Sequence, residues 1–263
     1  MGRPAKVARG NMEFPLNKPL AFTPTDMFRK HPLLFRKFRS DEIQSLALKN
    51  RRVDMDYEKF EFSDANQVLK NITHFRRLKS LFFVSTDLTP QAWSLVSNFT
   101  ELRTLSLSHV KLSTSEIAKF KRFKQLVYLK LVVPERITGV LEQLRDSNKL
   151  DNLCISNCPL SESDVRLIGT MTKLTTLDLR GTKLKDSAIP LLPTSLESLD
   201  VRGCEITAAS IAGFTRLRNL RTLSIDLRGF SNEERNQLEK TLNNVQIKVG
   251  SEKGEMEETL DDK

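Results

Sequence analysis

The chain has 263 residues, of which 39% are hydrophobic and 29% charged, and its 42 Lys and Arg outnumber its 33 Asp and Glu. This length supplies a sizeable core for one or two domains, and no run approaches the roughly 20 apolar residues of a membrane-spanning helix. The amino terminus carries neither a signal-peptide core nor a myristoylation pattern, so we expect a soluble protein of the cytoplasm or nucleus without a membrane partner.

The net charge of +9 is unevenly distributed along the chain. Residues 1–80 hold 17 Lys and Arg against 9 Asp and Glu, whereas the last 13 residues hold 2 against 6. A basic amino-terminal third can attract nucleic acid or an acidic protein surface. Charge that serves only solubility produces the same distribution, so composition leaves these interpretations open.

The first 42 residues precede any repetition in the sequence. Residues 1–13 are polar, basic and without periodicity, which predicts a disordered arm. In residues 14–42, Thr23-Pro24 before Asp26 is typical of a helix start, and Pro32 should end that helix. An apolar helical stripe follows, made of Leu33, Leu34, Phe35 and Phe38. We expect residues 14–42 to form a helical cap over the end of the core, or to dock a second subunit.

From residue 43 onward the template L-x-x-L-x-L recurs at a nearly constant interval. The interval is 24 residues in most blocks, 22 in two, and 35 after the first. Eight blocks begin at Ile43, Leu78, Leu102, Leu126, Leu150, Leu174, Leu196 and Leu220, and a partial ninth begins at Leu242. Residues 51–77 predict an expanded first repeat, with a polar loop and then a helix capped by Ser63. Residues 250–263 are acidic and lack the pattern, which predicts a disordered tail.

Positions within each block, counted from its first residue, separate into two faces. Alternation along a strand sends positions 4 and 6 into the core and positions 3, 5 and 7 to the opposite face. Positions 15 and 18 are apolar and three residues apart, the spacing of a helix face. They are Trp93, Ile117, Leu141, Val165, Ile189 and Ile211, then Val96, Phe120, Leu144, Ile168, Leu192 and Phe214. Ser113-x-x-Glu116 and Ser161-x-x-Asp164 are typical of capping boxes, so each repeat should be strand, turn and helix.

This register resembles the leucine-rich repeat family. The resemblance covers residues 43–249 and implies an α/β solenoid, a horseshoe with parallel strands on its concave face and helices on its convex face. It also implies about eight repeats between amino- and carboxy-terminal caps. The helical second half is similar to the ribonuclease-inhibitor-like and cysteine-containing classes, as in F-box-associated proteins. Families of this class use position 9, here Cys158 and Cys204 beside Thr86 and Thr182, to bind the loop backbone.

Enzyme chemistry finds little support in the sequence. Histidine occurs only at His31, His74 and His109, and no P-loop, G-x-S-x-G or H-E-x-x-H motif is present. Cys154-x-x-x-Cys158 has no His nearby, and Cys154 lies across the strand from the core column, which argues against a zinc site. We therefore expect no catalytic residue, no metal site and no cofactor.

Positions 3, 5 and 7 form the candidate binding face. Position 3 is a nearly continuous column of hydroxyl and amide side chains, while positions 5 and 7 are apolar or aromatic early and charged later. Apolar anchors beside orienting charges suit a protein partner. Alternatively, Ser and Thr only suit strand geometry, and the Asp and Arg neutralise each other. We predict these partner-binding residues: Phe82, Thr104, Ser106, Tyr128, Lys130, Asp178, Arg180, Asp200 and Arg202.

The sequence thus predicts a non-enzymatic protein-binding module, either an adaptor, a substrate-recognition subunit or an assembly factor, with its protein partner on the concave face. The alternative is a nucleic-acid-associated protein that uses the basic amino-terminal third. The binding face itself is not uniformly basic, which argues against a nucleic-acid groove there.

Overall fold

A computed structural model describes residues 20–49, 63–133 and 135–250. The predicted basic arm (1–13), the polar loop of the expanded repeat (51–57) and the acidic tail after residue 250 lie outside these ranges. Secondary structure in the rest follows the repeat, with one strand and one helical segment in most blocks.

The strands form one parallel sheet, ten strands wide across the part of the chain that is described. Its strands in spatial order are β1 (Leu20–Phe22), β2 (Ile43–Lys49), β4 (Ser80–Val84), β6 (Thr104–Ser108), β7 (Tyr128–Val132), β8 (Asn152–Ser156), β9 (Thr176–Asp178), β10 (Ser198–Asp200), β11 (Thr222–Ile225) and β12 (Gln246–Val249). A two-residue pair, β3 (Ser63–Asp64) with β5 (Thr86–Asp87), forms a second small sheet. Because every crossover returns through a helical segment, strands that follow each other along the chain lie side by side and parallel.

The helical segments are short and differ in type from repeat to repeat. The α-helices are α1 (Asp26–Lys30), α2 (Asn66–Ile72), α3 (Pro90–Leu95), α4 (Thr114–Ile117), α5 (Thr138–Leu144), α6 (Glu162–Gly169), α7 (Ile211–Phe214) and α8 (Asn232–Thr241). Five 3₁₀ segments accompany them: Pro32–Lys37, Val96–Asn98, Phe123–Gln125, Asp186–Leu191 and Ala208–Ser210. Capping boxes close the amino ends of α6 and α8, through Ser161 with Asp164 and Ser231 with Glu234.

The core lies between the sheet and the helices, as the periodicity predicts. The position 4 residues pair directly across the sheet, for example Leu105 with Leu129 and Leu129 with Leu153, and all are buried. All twelve residues at positions 15 and 18 are buried as well. The prediction of an α/β leucine-rich repeat solenoid with about eight repeats is therefore confirmed, because buried columns of this kind form only when successive repeats stack in register.

A left-handed residue follows the strand in most repeats, and sequence analysis did not anticipate it. Position 8 has φ between 51° and 68° in five blocks, at Ser85, His109, Asn157, Gly181 and Gly203. A Cβ atom on Gly181 would lie 2.5 Å from Asn157 Oδ1, and one on Gly203 would lie 3.3 Å from Gly181 N. The turns therefore stack closely enough that two of them use glycine.

Three local expectations at the ends of the repeat array are wrong. Strand β1 was not expected in residues 14–42, yet it extends the sheet beside β2. Helix α2 begins at Asn66 with Ala65 as its N-cap, whereas the predicted cap position, residue 63, lies in β3. The last strand lies two residues beyond its predicted place, because Thr222 pairs with Gln246 while Leu242 is buried at the end of α8.

Candidate functional site

Strand register brings the predicted binding residues onto one face. Position 3 pairs Thr104 with Tyr128, and position 5 pairs Ser106 with Lys130 on the same two strands. Further along the sheet, Asp178 pairs with Asp200. Neighbouring strands lie about 4.8 Å apart, so these side chains form continuous columns. We use "concave face" for this surface, the positions 3, 5 and 7 of the eight repeats.

Two arginines fold back onto aspartates two residues before them. Arg180 donates from Nε at 3.0 Å and from Nη2 at 2.7 Å to Oδ2 of Asp178, and Arg202 makes the same contacts with Asp200 at 3.1 and 2.6 Å. Arg180 Nε also lies 3.6 Å from Asp200 Oδ2 across the strands. The four residues, named here the ion-pair ladder, therefore neutralise each other laterally. Hydrogen bonding by the aspartates raises the pKa of both guanidinium groups above its ordinary value.

Cys154 joins the ion-pair ladder to the middle of the concave face. Its Sγ donates to Asp178 Oδ2 at 3.2 Å. Burial, together with the negative charge of Asp178, raises the pKa of this thiol to about 12. Burial likewise raises the pKa of Tyr128 to about 12. Both groups stay protonated near neutral pH, so the middle of this face presents hydrogen-bond donors and no nucleophilic thiolate.

The earlier strands carry an apolar zone, defined by Phe82, Val84, Tyr128 and Val132. All four side chains are partly buried. Ser106 lies between Phe82 and Lys130 in the position 5 column and is only 5% exposed. It therefore belongs to the face by register but offers little surface to a partner.

Position 9 residues hold the turns, which accounts for two of the three cysteines. Cys158 Sγ donates to the Glu135 carbonyl at 2.9 Å, and Cys204 Sγ to the Leu179 carbonyl at 3.1 Å. Thr182 Oγ1 donates to the same Leu179 carbonyl at 2.7 Å. The predicted role of position 9 is confirmed at these three residues, whereas the buried hydroxyl of Thr86 has no hydrogen-bond partner.

Sequence reasoning missed two contributors to the concave face. Cys154 was not among the predicted binding residues, although its thiol contacts the ion-pair ladder; its place in the same column as Asp178 was the available signal. Asp226, at position 7 of the last full repeat, accepts a hydrogen bond from the Gly203 amide at 2.6 Å and lies 3.8 Å from Arg228. It extends the charged surface by one more strand.

Within residues 20–49, 63–133 and 135–250, no group of three or more His, Cys, Asp or Glu is arranged to hold a metal ion. Over the same ranges, no helix combines the length and apolarity that crossing a bilayer requires.

Fold and face together define a parallel α/β solenoid with a leucine-rich-repeat-like architecture. No family model matches the chain, and no curated protein sequence matches it. Among solved structures, a leucine-rich repeat protein of Leptospira interrogans is similar at 18% identity and a TM-score of 0.49, over 80% of this chain and 62% of the other. An internalin of Listeria monocytogenes strain 4b F2365 is similar at 18% identity and 0.49, over 68% and 56%. The chain thus spans less than two thirds of either protein, and the function has to be argued from the site.

Proposed function

We propose that the concave face binds a protein partner, and that the protein acts without catalysis as an adaptor, a substrate-recognition subunit or an assembly factor. The observation that carries the proposal is the position 5 column, which passes from Phe82 through Lys130 and Cys154 to Asp178 and Asp200 in unbroken register. One continuous surface therefore offers apolar anchors at one end and fixed charges at the other.

The chemistry of the two ends sets what the partner presents. Aromatic side chains in a recess are the usual anchors of protein interfaces, and they pair with apolar side chains of the partner. The ion-pair ladder is neutral as a unit, but the Arg180 and Arg202 side chains are 43% and 38% exposed. Their outer N–H groups remain directed to acceptors such as carbonyl or carboxylate oxygens. We expect an extended or loop segment that sets an apolar side chain on the apolar zone and acceptors on the ladder.

Three finer assignments accompany this proposal. The position 9 hydrogen bonds of Cys158 and Cys204 support the ribonuclease-inhibitor-like or cysteine-containing class. The domain plan remains a basic arm at 1–13, a cap at 14–42, the solenoid at 43–249 and a tail at 250–263. We place the protein in the cytoplasm or nucleus.

Affinity capture from nuclease-treated cell extract tests the proposal. The wild type is compared with a variant in which Asp178, Arg180, Asp200 and Arg202 are all replaced by Ala. A matched control removes the exposed Glu162–Arg166 ion pair of α6, which lies on the helical side. We expect a protein that the wild type and the Glu162→Ala/Arg166→Ala control capture and that the ladder variant loses.

The outcomes separate the two classes of partner. Capture of material that nuclease removes, with a steep loss between low and moderate salt, would favour a nucleic-acid role for the basic amino-terminal third. Capture that survives nuclease but is the same for all three proteins would place the protein site away from the ladder. Thermal melts of each variant establish that a lost partner reflects the surface and not unfolding.

A further inference from the structure

A second surface lies at the amino-terminal end, away from the concave face. Helix α1, the 3₁₀ segment Pro32–Lys37 and helix α2 form the walls of an open groove of about 880 Å³. A recess of this size is in the range of ligand pockets, roughly 300–1,000 Å³. We call it the N-terminal groove, lined chiefly by Met27, Lys30, His31, Leu33, Lys37 and Asn71.

The walls of the N-terminal groove are held by packing and hydrogen bonds. Phe22 packs against Phe28 and Phe35 with ring centroids 5.1 and 5.9 Å apart, and Phe35 is fully buried. Arg36 Nε donates to Asn71 Oδ1 at 2.8 Å, and Asn71 Nδ2 donates to the Gln67 carbonyl at 2.8 Å. The 3₁₀ segment is thereby tied to α2, so the groove is preformed.

Two large apolar side chains stand at the lip of this groove. Leu33 is 63% exposed and Met27 is 55% exposed. Across the ranges that the structure describes, only Val127 and Val249 are large hydrophobic residues with comparable exposure, and each stands apart from the groove. Single exposed apolar residues are ordinary, whereas two that flank one recess mark an interaction site.

The charged residues that line the N-terminal groove have one sign. They are Lys30 and Lys37, and no Asp or Glu is among the lining residues in the described part of the chain. The nearby carboxylate of Glu42 is engaged by Arg39, at 3.0 Å from Nε and 2.8 Å from the backbone amide. A cationic rim around an apolar recess complements an acidic partner with apolar side chains.

We propose that the N-terminal groove binds an acidic, amphipathic peptide segment of a protein partner. Its apolar side chains enter the recess between Met27 and Leu33, and its carboxylates face Lys30 and Lys37. A recess enclosed by three helical segments fits the side chains of a single segment better than the broad, flat surface of a lipid bilayer. This surface uses none of the concave-face residues, so it stands independently of the function proposed above.

Fluorescence anisotropy with the full chain and two designed peptides tests this proposal. Both labelled peptides are helices of roughly four turns with two leucines four residues apart; one carries Glu on the remaining faces and the other carries Lys. We expect the acidic peptide to bind at least ~10-fold more tightly than the basic one. Leu33→Ser, and separately the double variant Lys30→Glu/Lys37→Glu, should each weaken acidic-peptide binding by a similar factor.

Two matched variants control for nonspecific apolar binding and for nonspecific electrostatic binding of the peptides. Val249→Ser removes a comparably exposed apolar side chain at the far edge of the sheet, and Lys119→Glu/Lys121→Glu reverses two exposed cations of another helical region. Both should bind the acidic peptide like the wild type. Absence of binding by the wild type, equal affinity for both peptides, or equal losses in the controls would overturn the proposal.

An anionic lipid membrane is the alternative ligand for the apolar and cationic residues of the N-terminal groove. The wild type and Leu33→Ser are therefore also sedimented with phosphatidylcholine vesicles that contain phosphatidylserine. Vesicle binding that depends on Leu33, without binding of the acidic peptide, would assign the groove to a membrane surface and overturn the peptide proposal. Peptide binding without vesicle binding would support it.

Discussion

The two halves of the concave face share one backbone and differ in chemistry. Strands β4 and β7 carry the apolar zone, while the ion-pair ladder lies at β9 and β10, and the same parallel register connects them. Beneath both halves the position 4 and 6 residues are uniformly buried and aliphatic or aromatic. Positions 4 and 6 of each strand are buried and therefore determine the fold. Positions 3, 5 and 7 face outward, so their side chains can differ from strand to strand and determine what the concave face binds.

The largest expected effect separates a buried even position from a partly exposed odd position of the following repeat. Leu177→Ala deletes a buried core side chain beneath β9 and should lower the free energy of unfolding by ~2–5 kcal/mol. The concave variant Arg202→Ala, just after the next strand, should cost no more than ~1 kcal/mol, since its ion pair is partly exposed. Urea denaturation followed by circular dichroism measures both. Equal losses would mean that the two faces do not differ in their structural role.

An intermediate effect should distinguish the two halves from each other. Asp178→Ala removes the acceptor for Arg180 and for the Cys154 thiol, and should cost ~1–3 kcal/mol because partly buried donors lose their partner. Lys130→Ala in the middle of the face should change stability by less than ~0.5 kcal/mol. If urea denaturation shows no difference between the two variants, the ladder contributes nothing to stability.

The pH dependence of the free energy of unfolding should show that the Cys154 thiol, on the concave face, is protonated in the folded protein. The thiol of Cys154 has its pKa raised from 9.0 to about 12 in the folded protein. At a pH above the ordinary pKa of a thiol, Cys154 ionises in the unfolded chain but stays protonated in the folded chain. The free energy of unfolding should therefore fall as the pH rises above 9. Cys154→Ser should reduce that slope in urea melts, with Cys204→Ser as the control. An unchanged slope would contradict the burial argument.

A related and smaller effect concerns thiol chemistry in the native state. Cys154 is buried and protonated, whereas Cys204 is partly exposed. Iodoacetamide at neutral pH should therefore modify Cys204 before Cys154, because the thiolate is the reactive form and needs access. Mass spectrometry of the digested protein gives the order. Faster labelling of Cys154 would show that the face opens more than its packing indicates.

Periodicity made most of the fold predictable. Spacing alone placed residues such as Leu129 and Phe120 in the core. In a stacked repeat, apolar residues at recurring positions can be buried only between the strands and the helical segments. The ends were less predictable: β1 has no template residues, and α8 displaces the last strand from the register that Leu242 indicated. At the two ends of the array, contacts with the one neighbouring repeat determine where the strands lie, and the repeat pattern in the sequence does not.

Surface pairing was only partly accessible from the sequence. Alternation placed Asp178 and Arg180 on one face, but not the fold of each arginine onto its own aspartate. The Cys154 contact and the covering of Ser106 also depend on side-chain lengths in adjacent strands. The N-terminal groove was beyond reach, since it is built from three segments whose mutual packing no local pattern encodes.

Site-specific photo-crosslinking in cells tests the central claim, that a protein partner occupies the concave face. A photoreactive amino acid replaces Tyr128 on that face, and in a second variant Arg166 on the helical side. The account predicts a discrete crosslinked protein with the probe at residue 128 and none with the probe at residue 166. Crosslinking only from residue 166, or the same products from both, would contradict it.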